Sequence, residues 1–153
     1  MIRLRDSITI HVPPEQIWTW LNELPAHYLQ WHPAHVRCRY DHGDRLEPGA
    51  VLYVEEVLHG RLHRLRLRAT QVVPERALHY RGPGFKGAFL LAPADGSTSF
   101  TAELSFGTPL PILSAILDPL LRLVLGRRLT EFESHMHEEG LNLKRLLERE
   151  HAA

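Results

Sequence analysis

The chain has a single cysteine, Cys38, in 153 residues. One thiol excludes an internal disulfide and a zinc site built from several thiolates, and makes a reducing cytoplasm the expected compartment. Cys38 itself reads as a small buried thiol rather than a nucleophile. An excess of charge of one sign is also missing, since eighteen basic residues balance eighteen acidic ones. No net field therefore favours nucleic acid or an anionic membrane as the main partner. Nor is there an apolar run long enough to span a bilayer. The most apolar segment, 109–125, is interrupted by Asp118, Pro119 and Arg122, and is expected to form a helix or a docked apolar cap. The stretch from Met1 to Asp6 is charged and no apolar segment follows it, so no secretory leader is expected. Repeats, low-complexity tracts and linkers are absent. The length suits one domain over 1–153, burying roughly two-thirds of its unfolded surface.

Histidine is what the chain has in abundance, with eleven residues. That many make metal ligation or proton transfer near neutral pH worth testing.

The order of elements follows from periodicity. Residues 2–12 place Ile2, Leu4, Ile8, Ile10 and Val12 on one parity, which predicts a strand. Pro13 and Pro14 open a helix whose apolar face is Ile17, Trp18, Trp20, Leu21 and Leu24, closed by Pro25. A short helix or ordered loop follows through Trp31-His32-Pro33. From Val36 onward the pattern is of strands, with Gly43-Asp44 and Pro48-Gly49 as turns. Strands are predicted over 51–59, 62–73 and 77–81, then over 87–92 and 97–106 around the turn Ala94-Asp95-Gly96. The period becomes helical from about Ile112 to Arg149, with breaks at Pro119 and Gly126. A curved antiparallel sheet of about seven strands would bury the apolar stripe of that long helix and leave a cavity between them. This α+β order resembles the helix-grip fold of lipid-transfer domains, polyketide cyclases and the birch pollen allergen. The fold hosts carriers, receptors and enzymes alike, so it does not decide function.

At about 100° per residue, Leu125, Leu129, Phe132, Met136, Leu143, Leu146 and Leu147 form the inward stripe of the long helix. Glu139 falls within it and His135 at its edge, one turn away. His137, Glu138, Glu131 and Glu133 project elsewhere. A carboxylate in an apolar stripe needs a partner. That partner is either a cation such as Arg127 or Arg128, or a metal ion shared with His135. Other donors favour the metal. In Trp31-His32-Pro33-Ala34-His35, Pro33 keeps His32 out of the helical region, which suits a side chain aimed into a pocket, although a histidine beside a tryptophan taken alone reads as a packed, hydrogen-bonded core residue. Of the paired Glu55 and Glu56, alternation lets only one face the cavity. Glu56 shares the more apolar face with Leu52, Val54 and Leu58, although Glu55 remains open. His63 and His79 read as surface residues. Two histidines and two carboxylates suit zinc first, with manganese or iron(II) as substitutes.

Three segments carry a closer resemblance: His-Tyr-Leu-Gln-Trp-His-Pro-Ala-His at 27–35, Glu-Glu at 55–56, and His-Met-His-Glu-Glu-Gly-Leu-Asn-Leu at 135–143. They resemble the diacetylphloroglucinol and phloretin hydrolases, zinc-dependent carbon–carbon hydrolases on the helix-grip fold. The resemblance implies His32, one strand glutamate (Glu56 for preference), His135 and Glu139 as metal ligands. It also implies His35 as a polar group reaching the substrate, and a tyrosine near the phenolic ring: Tyr28, or else Tyr53 or Tyr80. The expected activity is hydrolysis of a small hydrophobic aromatic ketone by a monomer or homodimer. Two other readings compete. One is a metal-free carrier or cyclase of hydrophobic small molecules. The other is a ligand-responsive domain docking a partner through Leu110 to Leu125, although core packing explains those residues more simply.

Overall fold

A computed structural model describes residues 1–108 and 110–152. Pro109, the first residue of the apolar segment, lies outside them. Alternation in Ile2–Ile10 builds β1, and two short helices follow, α1 (Pro14–Asn22) and α2 (Leu24–Trp31). Six strands come next: β2 (His35–His42), β3 (Val51–Leu58), β4 (Arg61–Val73), β5 (Ala77–Gly82), β6 (Phe85–Ala94) and β7 (Ser97–Phe106). The chain ends in α3 (Pro111–Ala152), whose backbone leaves helical geometry at Gly126. The seven strands form one sheet in the order β1-β7-β6-β5-β4-β3-β2, and every neighbouring pair is antiparallel. The sheet curves round the C-terminal half of α3, as the helix-grip fold requires.

Pro25 differs from its expected role. It starts a helix rather than closing one: α1 ends at Asn22 and Pro25 lies in the first turn of α2. A missing N–H costs nothing in a first turn, where those donors have no intrahelical partner anyway. Pro33 acts as expected, leaving His32 extended at φ −149° and ψ 143° beyond the end of α2.

β1 and β2 are the two edges of the sheet, so α1 and α2 carry the chain from one edge to the other. They close one end of the fold with Ile17, Trp20, Leu21 and Trp31, which meet Leu143 and Leu147 of α3 in the core. Ile10, Val12, Ile17, Leu143 and Leu147 are wholly buried. Each such side chain contributes about 1.5–3 kcal/mol relative to an exposed one.

The N-terminal part of α3 behaves otherwise. Ile112 is 83% exposed, Leu123 81%, and Ile116 and Val124 67% each. Core packing therefore does not account for the apolar segment. Leu121 packs inward, but a helix that is apolar on two sides can bury only one of them against a single body. No helix among the described residues is long and apolar enough to cross a membrane.

Candidate functional site

Between the sheet and α3 lies a cavity of about 300 Å³. Its walls are mostly aliphatic and aromatic, including Leu52, Leu67, Leu78, Phe89 and Phe132. Polar side chains gather at the end where α2, β3 and α3 meet: Tyr28, Glu56, His135 and Glu139 line it there.

Strand pairing positions the first pair. His35 at the start of β2 is the direct partner of Glu56 in β3, and an irregularity follows between His35 and Arg37. Directly opposite residues share a face, so both side chains point inward, with His35 Nε2 3.9 Å from Glu56 Oε2. Glu55 points the other way, accepts a hydrogen bond from the Tyr53 hydroxyl at 2.6 Å and pairs with Arg64.

The other pair stands one turn apart on α3. Glu139 Oε1 lies 2.8 Å from His35 Nε2 and 3.2 Å from His135 Nε2. The height of α3 against α2 is fixed by a reciprocal tie. The Trp31 indole N–H donates to the Glu139 carbonyl at 3.0 Å, and the Asn142 amide donates to the Trp31 carbonyl at 2.9 Å. Sequence periodicity held no sign of this tie, because it joins residues 108 and 111 positions apart.

Hydrogen bonds assign the histidine protons. His35 Nδ1 lies 2.9 Å from the Tyr28 carbonyl; a carbonyl only accepts, so Nδ1 carries the proton. Nε2 is left facing Glu139 Oε1. His32 is arranged in the opposite sense. The Ala34 N–H donates to its Nδ1 at 3.0 Å, leaving the proton on Nε2, which donates to Glu138 Oε2 at 2.7 Å. His32 thus stands beside the cluster, its ring 4.2 Å from that of His135, with both nitrogens engaged. Among the expected ligands the structure brings Glu56, His135 and Glu139 together, and His35 occupies the place beside them expected of His32.

Charges in the cluster shift one another. Burial raises the Glu139 carboxyl, but the imidazoles of His135 and His35 facing it outweigh burial and hold the group at about 2. Burial, reinforced by Glu139, pushes Glu56 up. Burial disfavours the cationic form of His135, yet Glu139, Glu56 and Glu138 outweigh it and raise its pKa. Tyr28 is buried and stacked on His35 at 3.9 Å between ring centres. Burial first, then the charges of Glu56 and Glu139, drives its phenol far above the ordinary range. Tyr28 therefore stays a donor, with its hydroxyl 3.5 Å from Glu56 Oε2.

Two observations fit this cluster to a divalent cation. His135 Nε2 is buried and, although 3.2 Å from Glu139 Oε1, makes no hydrogen bond of good geometry. In addition, ligand atoms of His35, His135 and Glu139 all lie within 4.8 Å of one another. Nitrogen and oxygen donors of this kind suit zinc, and the His35 Nδ1–H bond to a backbone carbonyl is the outer-shell contact that orients a metal-binding imidazole.

Other histidines and tyrosines divide clearly. His63, expected at the surface, is half-buried, lines the cavity and lies 3.3 Å from the Leu58 carbonyl through Nε2. It is the partner of Glu56 in β4, so the inward parity of Glu56 was the signal that could have placed it. His79 is half-buried away from the cavity lining. Tyr80 lines the cavity, packed so closely over Gly87 that a Cβ there would collide with its ring. Tyr53 lies outside, bonded to Glu55, with Arg39 over its ring.

Comparison with known proteins agrees with the architecture. Residues 1–147 match the family described as polyketide cyclase / dehydrase and lipid transport. TTHA0849 from Thermus thermophilus is similar with a TM-score of 0.71 and 14% identity, over 95% of this chain and 97% of that one. NE0264 from Nitrosomonas europaea has a TM-score of 0.69 and 22% identity, over 99% and 97%. The Polyketide_cyc-like protein Cgl2372 from Corynebacterium glutamicum has a TM-score of 0.62 and 22% identity, over 97% and 92%. At these identities the likeness is one of fold. A search of curated proteins finds no matching relative.

Proposed function

The chain belongs to the polyketide cyclase / dehydrase and lipid transport family, and from that premise we propose that it binds a small, largely apolar, partly aromatic ligand between the sheet and α3. One observation carries this reading: a cavity of about 300 Å³ is mostly apolar, with polar groups gathered at the end holding Tyr28, Glu56, His135 and Glu139. Ligand pockets combine apolar walls with a few convergent polar groups in this way. Apolar surface supplies the binding energy, and the Tyr28 hydroxyl donates to a ligand oxygen lodged at the polar end. The test is quenching of Trp31 fluorescence by naphthols and acylated phenols, in the wild type and in an Ala102→Phe variant that fills the cavity. Saturable quenching lost in the variant supports the reading. No saturable quenching by any probe, or quenching equal in the two proteins, overturns it.

A second reading rests on His135 Nε2, buried without a hydrogen bond of good geometry. His35, His135, Glu139 and Glu56 hold a divalent cation, zinc first with manganese or iron(II) as substitutes, and the protein hydrolyses an acylated phenol. The balance is one water consumed: the bond from ring carbon to acyl carbon breaks, the ring carbon gains hydrogen and the acyl group leaves as a carboxylic acid. The metal would supply Lewis acidity for a ketone oxygen and for water. Tyr28 holds a phenolic oxygen by its retained proton. Glu138, whose side chain is 54% exposed, fixes His32 beside the site by accepting from its Nε2–H. Metal content by mass spectrometry tests the site, and carboxylate release from acylphenols tests the chemistry. About one zinc per chain, with release lost in Glu139→Ala, supports this reading. A protein that binds aromatic ligands but no metal supports a carrier or cyclase instead.

A further inference from the structure

The N-terminal part of α3 presents six large aliphatic side chains outward: Ile112, Leu113, Ile116, Leu120, Leu123 and Val124, each between 44% and 83% exposed. At about 100° per residue they occupy one arc of roughly 120°. No charged side chain of residues 111–125 lies in it. Asp118 points to the opposite side of the helix, held by Ser114 at 2.7 Å and by the amino group of Met1. Arg122 lies roughly 140° from the middle of the arc. Six large exposed aliphatic side chains side by side form a contiguous apolar patch of the kind that marks an interaction site.

The pattern within the face indicates what covers it. Positions 112 and 124, 113 and 123, and 116 and 120 are each symmetric about 118, so the face reads the same in both directions along the helix. An isologous interface has this requirement, since residue i of one subunit must meet residue j of the other while j meets i. Leu113, Ile116, Leu120 and Leu123 also follow the 3-4-3 spacing of a helix–helix seam. We propose that a second copy of this chain packs antiparallel against this face, with the two-fold axis passing beside residue 118. Leu113 then meets Leu123 of the second copy, and Ile116 meets Leu120. Charges stay off the seam in that register: Arg122 lies level with Ser114, and Asp118, level with its own copy, points away from the contact on both helices. Exposed Arg122, Arg127 and Arg128 make an anionic bilayer the competing occupant, but a bilayer would not require the symmetry.

Sedimentation equilibrium tests the proposal, with the wild type compared to Ile116→Glu and Leu120→Glu. Both positions are exposed, so folding is checked simply by circular dichroism. A wild-type dimer at micromolar concentration, shifted at least about 100-fold toward monomer in both variants, is expected. Register is tested in a Cys38→Ser background by mixing Leu113→Cys and Leu123→Cys chains under oxidation. A cross-link formed in the mixture and in neither chain alone is expected. A wild type that stays monomeric at about 100 µM, where a dimer of micromolar affinity would be almost fully formed, overturns the proposal. So do Leu113→Cys chains that cross-link to themselves, and so does a monomer that co-sediments with phosphatidylserine vesicles.

Discussion

His35 and Glu56 are direct partners across the β2–β3 ladder, and the ladder, rather than a mobile loop, sets the distance between their side chains. A slip of one residue would turn Glu55 inward and Glu56 out. The pair is therefore as rigid as the sheet, while the distance from it to Glu139 depends on how α3 seats against α2.

Metal retention should separate the two histidines of the Trp31-to-His35 segment. With zinc added and excess removed, His35→Ala and His135→Ala are expected to lose more than about 100-fold in affinity. His32→Ala, which removes the links to Glu138 and to the Ala34 N–H but no ligand atom, is expected to lose at most about 10–100-fold. Competition against a chromogenic chelator measures all three. Equal losses in His32→Ala and His35→Ala would mean that His32 also turns to the metal.

Acid should find Glu139 in chelator-treated protein. Its carboxyl sits at about 2 when folded, against an ordinary value of 4.5. A folded pKa below the unfolded one adds stability that is present above about pH 4.5 and is lost as pH falls toward 2. The shift corresponds to roughly 3 kcal/mol at most. Urea midpoints at pH 5 and 2.5 should fall further for the wild type than for Glu139→Gln by a large part of that amount. Parallel falls would contradict the assignment.

Gly87→Ala should destabilise by about 1–3 kcal/mol, because its methyl group meets the Tyr80 ring. For a chain of this size that lowers Tm by about 2–4 °C per kcal/mol. Calorimetry checks it, and Tyr80→Leu in the same chain should restore part of the loss. If the double variant is no more stable than Gly87→Ala, the collision lies elsewhere.

Alkylation should be slow at Cys38. Burial pushes its thiol up to about 12, and the thiolate is the reacting form. Iodoacetamide at pH 8 is expected to label native protein at least ~100-fold more slowly than unfolded protein in guanidinium, as mass spectrometry would show.

Much of this was legible in the sequence, and the residues show why. Alternation placed β1 and allowed only one of Glu55 and Glu56 inward, and helical spacing put Glu139 in an apolar stripe with His135 beside it, because both patterns are local. The respective places of His32 and His35 are not local. They depend on the irregularity after His35, on the Ala34 N–H that occupies His32, and on Glu138 reaching across from α3. Pro25 was ambiguous for a similar reason, since proline both ends one helix and begins the next. The apolar residues from Ile112 to Val124 were visible, but only packing tells which side of a helix the body covers.

The edge pairing of Ile2 with Phe106 closes a loop of about a hundred residues, and the cluster joins His35 to a carboxylate 104 positions away. Contacts so distant along the chain make folding slow, in the millisecond-to-second range for sheets dominated by them. The polar end of the cavity then exists only once the sheet has closed and α3 has docked. A ligand present during refolding meets no site before the rate-limiting step, so it slows unfolding and leaves the folding rate unchanged.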